Sequence, residues 1–150
     1  MNTLKAILMI MLTTLSLQVW GVDCSSSNIT LSTQEDVDNF QATYGVCDRV
    51  LGSLTVVGAD ITDIDGLANL TSVGGDLQIH YNAVLTDING LANLTSVGGL
   101  LHIEYNAALT NIDGLTNLTN VGWLYIEYNA VLTDINGLAN LTSAGVTKNV

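Results

Sequence analysis

The sequence predicts a mainly β chain wound as a solenoid of about four coils behind a short N-terminal capping helix. From Ile61 onward the chain repeats itself: Gly66, Gly90, Gly114 and Gly137 recur at intervals of 24, 24 and 23 residues, each inside a block such as Leu85-Thr-Asp-Ile-Asn-Gly-Leu91. A fixed period of that size is the mark of stacked repeats. Two apolar patterns alternate within a unit. Leu77-Gln-Ile79, Leu101-His-Ile103 and Leu124-Tyr-Ile126 have period two, which gives a short strand with one aliphatic face. Ile88, Leu91, Leu94 and Val97 have period three, too tight for an amphipathic α-helix and suited to extended and 3₁₀-like segments. Composition agrees: 150 residues make one domain at most, and 48% hydrophobic against 11% charged excludes intrinsic disorder.

Residues 1–21 read as a signal peptide. Lys5 gives a positive start, Ala6 to Leu17 is apolar, and Val19 and Gly21 suit cleavage near Gly21. A spanning helix needs about 20 apolar residues, and this run is broken by Gln18 and followed by Asp23. The mature chain is therefore expected to be secreted or on the extracellular surface, with no direct membrane insertion after cleavage. Residues 22–50 form the cap. Ser32-x-x-Glu35 reads as a capping box for a helix running through Val37 and Phe40 to about Thr43, and Ile29–Leu31 as a short edge strand. Cys24 and Cys47 flank this unit, and one disulfide is the economical reading for a secreted chain with two thiols.

Residues 51–150 are the repeats, with Leu54-Thr-Val56 as an earlier copy of the strand. Asp65, Asn89, Asp113 and Asn136 precede the repeated glycine, which reads as turn chemistry: the side chain bonds nearby backbone and the glycine takes positive φ. The one-residue deletion, where Val97-Gly-Gly99 becomes Val121-Gly122-Trp123, is expected to fall in a turn. Asn82, Asn106 and Asn129 are placed to bond the backbone of adjacent coils. A single unit cannot bury its own apolar face, so stability belongs to the stack. After Gly145 the strand pattern breaks, with Thr147 and Asn149 at the aliphatic positions. Ile135, Leu138 and Leu141 are then expected under an open end, explained by truncation of a longer chain or by self-association through the open coil.

Cys47-x-x-x-Leu51-Gly52-x-Leu54-x-Val56 and repeats such as Ile88-x-Gly90-Leu91-x-x-Leu94-x-x-Val97-Gly98-Gly99 resemble the receptor L-domain family over about Cys24 to Gly145. The ladder asparagines also match the leucine-rich pattern Leu-x-Leu-x-x-Asn. The resemblance implies a right-handed, leucine-rich-like β-solenoid, here as a secreted single-domain relative. The cysteine-rich modules between paired receptor domains are not visible, and growth-factor binding is not carried over.

The strand positions that face away from the aliphatic side form columns: Gln78, His102 and Tyr125, preceded by Thr55; then His80, Glu104 and Glu127; then Tyr81, Tyr105 and Tyr128. Imidazole and carboxylate on adjacent rungs are competent cation ligands, which makes His80, His102, Glu104 and Glu127 weak candidates for a divalent metal beside the plainer reading as a solvated polar face. The tyrosines read either as a stacking platform for a sugar or peptide, or as rings packed on one another. Asn28, Asn69, Asn93, Asn117 and Asn140 each begin an Asn-x-Thr sequon, a possible N-glycosylation site or simply a copied element of the repeat.

A formal net charge of −11 excludes binding to a nucleic-acid backbone. No arrangement of nucleophile, base and orienting group has positional support, so no catalytic residue and no cofactor is expected. The expected function is a non-enzymatic recognition or adhesion module that binds an extracellular protein or glycan through the strand face. The alternative is a structural matrix protein or a solenoid that self-assembles in the presence of cations.

Overall fold

In the computed structural model, which describes residues 21–25 and 27–145, the chain is mainly β. The expected signal peptide, up to residue 20, and the broken strand pattern at 146–150 lie outside the described residues. Among the described residues nine strands, all paired in parallel, build one sheet: β1 (Asp23–Ser25), β2 (Ile29–Leu31), β3 (Arg49–Val50), β4 (Leu54–Val56), β5 (Ser72–Val73), β6 (Leu77–His80), β7 (Ser96–Glu104), β8 (Asn120–Glu127) and β9 (Ser143–Ala144). They run in two tracks. Val50 pairs with Val73, Val73 with Val97 and Val97 with Val121; Leu54 pairs with Leu77, Leu77 with Leu101 and Leu101 with Leu124. Each unit thus lies on its counterpart one repeat away. The cap is part of the same sheet, because β1 pairs with β3 and β2 with β4.

The two apolar patterns face one core. Leu77, Ile79, Leu101 and Ile103 from the strands meet Ile64, Leu67, Ile88, Leu91, Ile112 and Leu115 from the period-three segments, all fully buried. The period-three segments hold the 3₁₀ turns Asp65–Leu67, Asn89–Leu91, Asp113–Leu115 and Asn136–Leu138. Of Ile135, Leu138 and Leu141, Ile135 is 56% exposed, Leu141 is partly buried and Leu138 is buried at 9%.

Three local expectations need correcting. The repeated glycines do not take positive φ; a Cβ on Gly90 or Gly114 would overlap the carbonyl oxygen of Ile64 or Ile88 in the preceding unit, so close approach of two backbones demands glycine there. The side chain that closes the turn is two residues earlier than expected. Asp63, Asp87, Asn111 and Asp134 accept from the backbone N–H of Asp65, Asn89, Asp113 and Asn136 at 3.0–3.1 Å. The deletion is taken up inside a strand: β7 and β8 shift register between Val97 and Leu100, a bulge that opposes Leu100 to Trp123.

The capping box forms one residue later than Ser32-x-x-Glu35. Thr33 caps α1 (Gln34–Asp38), its hydroxyl accepting from Asp36 N, while the Asp36 carboxylate accepts from the N–H of Ser32 and of Thr33 at 2.8 and 3.0 Å. Those bonds, led by the one from Ser32, hold the Asp36 carboxyl below its ordinary range. The helix then breaks at Asn39 (φ −91°, ψ 7°) and restarts as α2 (Phe40–Tyr44). Val37 and Phe40 are buried on the first 3₁₀ turn. Gln34 fastens the cap to the repeats, its Oε1 accepting from Thr62 N at 2.7 Å and from the Thr62 hydroxyl at 3.1 Å.

Cys24 and Cys47 form a disulfide that ties β1 to the end of the cap across 23 positions of sequence. Closing a loop of that size stabilises a fold by about 3 kcal/mol through the entropy of the unfolded chain. Reduction is expected to lower the urea midpoint accordingly. Two alkylatable thiols in the untreated protein, counted by intact mass, would overturn the bond itself.

Candidate functional site

The sheet register puts the expected face together. Thr55, Gln78, His102 and Tyr125 are consecutive Cα partners across β4, β6, β7 and β8, and His80, Glu104 and Glu127 are partners across β6, β7 and β8. Alternation then forces these side chains to one surface, because the residues between them, Leu77, Ile79, Leu101 and Ile103, are taken by the core.

Charge and ring contacts link the columns. His102 Nε2 lies 3.3 Å from Glu104 Oε2, an ion-pair distance without the alignment of a good hydrogen bond, and the His102 ring meets the Tyr125 ring edge-on at 4.7 Å. His80 sits 6.3 Å from His102, ring to ring, and its Nδ1 is buried with no hydrogen-bond partner among the described residues. Burial, with His102 nearby, pushes the His80 imidazole below its ordinary range, so the neutral ring is favoured. The Tyr125 hydroxyl is hydrogen-bonded to Glu127, which together with partial desolvation pushes its pKa up to about 12. The face thus combines imidazole, phenol and amide hydrogen-bonding groups with the side chains of Glu104 and Glu127.

Among the described residues no group of three or more His, Cys, Asp and Glu side chains is gathered around a point. His80, His102, Glu104 and Glu127 are spread along two strand positions and three rungs, and the described contacts among them bring His102 Nε2 and Glu104 Oε2 together at 3.3 Å.

The tyrosine column forms a stack. Tyr81 and Tyr105 lie 4.9 Å apart and 5° from parallel, Tyr105 and Tyr128 4.8 Å apart and 10° from parallel. Most ring faces are therefore used on one another, and what the column presents to solvent is edges and hydroxyls. All three tyrosines hold φ between 52° and 57°, a left-handed conformation rare for a bulky residue and unannounced by the sequence. Directly after each one the chain turns inward, and Asn82, Asn106 and Asn129 form a ladder, fully buried at Asn82 and Asn106 and partly at Asn129. Asn82 Nδ2 donates to Val56 O and to Asn106 Oδ1, Asn106 Nδ2 to Ile79 O and Asn129 Oδ1, and Asn129 Nδ2 to Ile103 O.

Four of the sequon residues, Asn69, Asn93, Asn117 and Asn140, follow the 3₁₀ turns, away from the strand face, whereas Asn28 directly precedes β2. Asn93, Asn117 and Asn140 donate through Nδ2 to the carbonyls of Ala68, Ala92 and Thr116 at 2.8, 2.7 and 2.8 Å. Two surface depressions of about 380 and 360 Å³ are present. One is on the cap between Leu31 and Tyr44, the other beside Tyr128 and Ile135, and neither opens on the centre of the strand face.

A scan against protein-family models and a search of the curated proteins returned no match. The functional reading accordingly rests on the geometry of the face.

Proposed function

We propose that this chain is a secreted or cell-surface, non-enzymatic recognition module: a right-handed, leucine-rich-like β-solenoid similar to receptor L domains, binding an extracellular protein or glycan through its strand face. The observation that carries the reading is the in-register array of Gln78, His102 and Tyr125 beside His80, Glu104 and Glu127. A flat surface of hydrogen-bonding and aromatic groups suits an extended macromolecular partner better than a small molecule, which calls for a concave pocket. The Cys24–Cys47 disulfide supports an oxidising compartment. A second reading, self-assembly as a structural element, draws on the exposed Trp123, Tyr128, Val131 and Ile135 in the last two units.

Panels of extracellular glycans and matrix proteins test the first reading. The triple variant Gln78→Ala, His102→Ala, Tyr125→Ala is expected to weaken the best binder on the order of a hundredfold, because a central aromatic and its polar neighbours carry most of the energy of such an interface. Unchanged binding by the triple variant would move the partner off this face. Unchanged concentration-dependent assembly by the same variant would favour the second reading.

A further inference from the structure

We infer that the folded chain offers Asn28 and Asn69 as N-glycan acceptors, while Asn93, Asn117 and Asn140, which begin the same Asn-x-Thr triplet, are structural and are withheld by the fold. The inference relies on the secretory reading for its cellular setting, but accessibility is a property of the folded chain.

N-glycosylation joins Asn Nδ2 to C1 of a sugar. The C1–O bond to a diphosphate leaving group breaks, the N–C1 bond forms, and one amide proton leaves with the diphosphate. The amide must be free to enter an enzyme, and so must the threonine hydroxyl two residues on, by which the triplet is held. At three of the five sequons both groups are committed. Asn93, Asn117 and Asn140 each use Nδ2 to hold a carbonyl of the preceding unit at 2.7–2.8 Å. Their partner hydroxyls, on Thr95, Thr119 and Thr142, donate to the carbonyls of Thr71, Thr95 and Thr119 at 2.9, 3.1 and 3.0 Å. These side chains are exposed, so what withholds them is the pair of hydrogen bonds: the amide must leave a carbonyl of the preceding unit, and the hydroxyl another, before the triplet is free to react.

Asn69 begins the column. On the side of the first 3₁₀ turn where another repeat would lie, α2 of the cap packs instead. Asn69 is exposed, and its Nδ2 has no hydrogen-bond partner among the described residues, although the Thr71 hydroxyl still donates to Asp48 O at 3.0 Å. Asn28 is more open. Its Oδ1 accepts from Ser53 N at 2.9 Å, which orients the side chain while leaving Nδ2 unpaired among the described residues, and the Thr30 hydroxyl on the edge strand β2 is exposed and likewise unpaired there. Identical triplets thus have different chemistry because of where the stack begins.

The test uses the full chain, folded, with a soluble sequon-recognising N-glucosyltransferase and UDP-glucose, followed by site-resolved mass spectrometry; the same chain, unfolded in tolerated denaturant with its disulfide reduced, is the reference. Relative to the unfolded reference, Asn28 is expected to keep its rate and Asn69, with only the Thr71 hydrogen bond to open, to slow less than the others, whereas Asn93, Asn117 and Asn140 slow by about tenfold or more, since two hydrogen bonds must open before each can react. Equal protection of all five sequons, or modification of Asn93, Asn117 or Asn140 ahead of Asn69, would overturn the inference. Because the assay does not depend on secretion, failure of the secretory reading would show separately, as retention of the chain when it is expressed with its own leader in a eukaryotic host.

Discussion

Substituting Ala for Gly114 is expected to destabilise the fold by about 3–5 kcal/mol, the upper range for a single replacement, and to lower the melting temperature by on the order of 10 °C. Gly114 is buried at the start of a 3₁₀ turn, and its missing side chain is where the carbonyl of Ile88 passes. An added Cβ would overlap that oxygen and sit 2.6 Å from the carbonyl carbon and 3.0 Å from the Asn89 Cα. The obstacle is backbone on both sides, so no rotamer change relieves it; the units must separate, and the ladder bonds on either side of the turn resist. Gly45 is the control. It holds φ 85° and ψ 170° at the end of α2, a region essentially confined to glycine, and has nothing within 4 Å of an added Cβ, so Gly45→Ala meets only that backbone penalty of about 1–3 kcal/mol. Urea unfolding of the two variants separates the causes, and a Gly114→Ala protein within about 1 kcal/mol of wild type would mean that the stack yields more easily than its spacing implies.

That contrast also marks how far the sequence can be read. The period put every repeat strand in register, since a slip by one residue would turn Leu77 and Ile79 outward, and Gln78, His102 and Tyr125 duly share one row. The buried asparagines were equally legible, because a polar residue recurring after an aliphatic strand must find partners in the neighbouring unit. What could not be read was which of two equivalent solutions a residue serves. Glycine after Asp or Asn suits positive φ and close approach alike, and only the neighbouring unit's carbonyl decides. Ser32 and Thr33 are each followed three residues on by an acid, and the Asp36 carboxylate, bonding both N–H groups, selects Thr33. The tyrosine column was visible as a column, but neither its left-handed backbone nor the use of its ring faces on one another is encoded in spacing. A left-handed residue costs of order 1–3 kcal/mol and persists only where its surroundings over-determine it. Here ring stacking on one side and the buried asparagine on the other do so.

The asparagine ladder is where the second large effect is expected. Asn106 is fully buried and satisfied on every side: Oδ1 accepts from the Asn82 N–H at 3.2 Å and from Asn82 Nδ2 at 2.9 Å, while Nδ2 donates to Ile79 O at 2.9 Å and to Asn129 Oδ1 at 3.1 Å. Asn106→Ala leaves the Asn82 N–H, one Asn82 amide hydrogen and a share of the Ile79 and Asn129 oxygens without partners in the interior. Each stranded group costs about 1–3 kcal/mol, and with partial relaxation the total is expected at about 3–5 kcal/mol, measured by thermal or urea unfolding. The ladder makes a sharper prediction through its coupling. Asn82→Ala removes the side-chain donor that Asn106→Ala strands, the backbone N–H of residue 82 remaining, so the double variant should cost less than the two single variants added together, by about 1 kcal/mol or more. Strict additivity would mean that the two side chains stabilise their own turns independently, and that the ladder does not bind unit to unit.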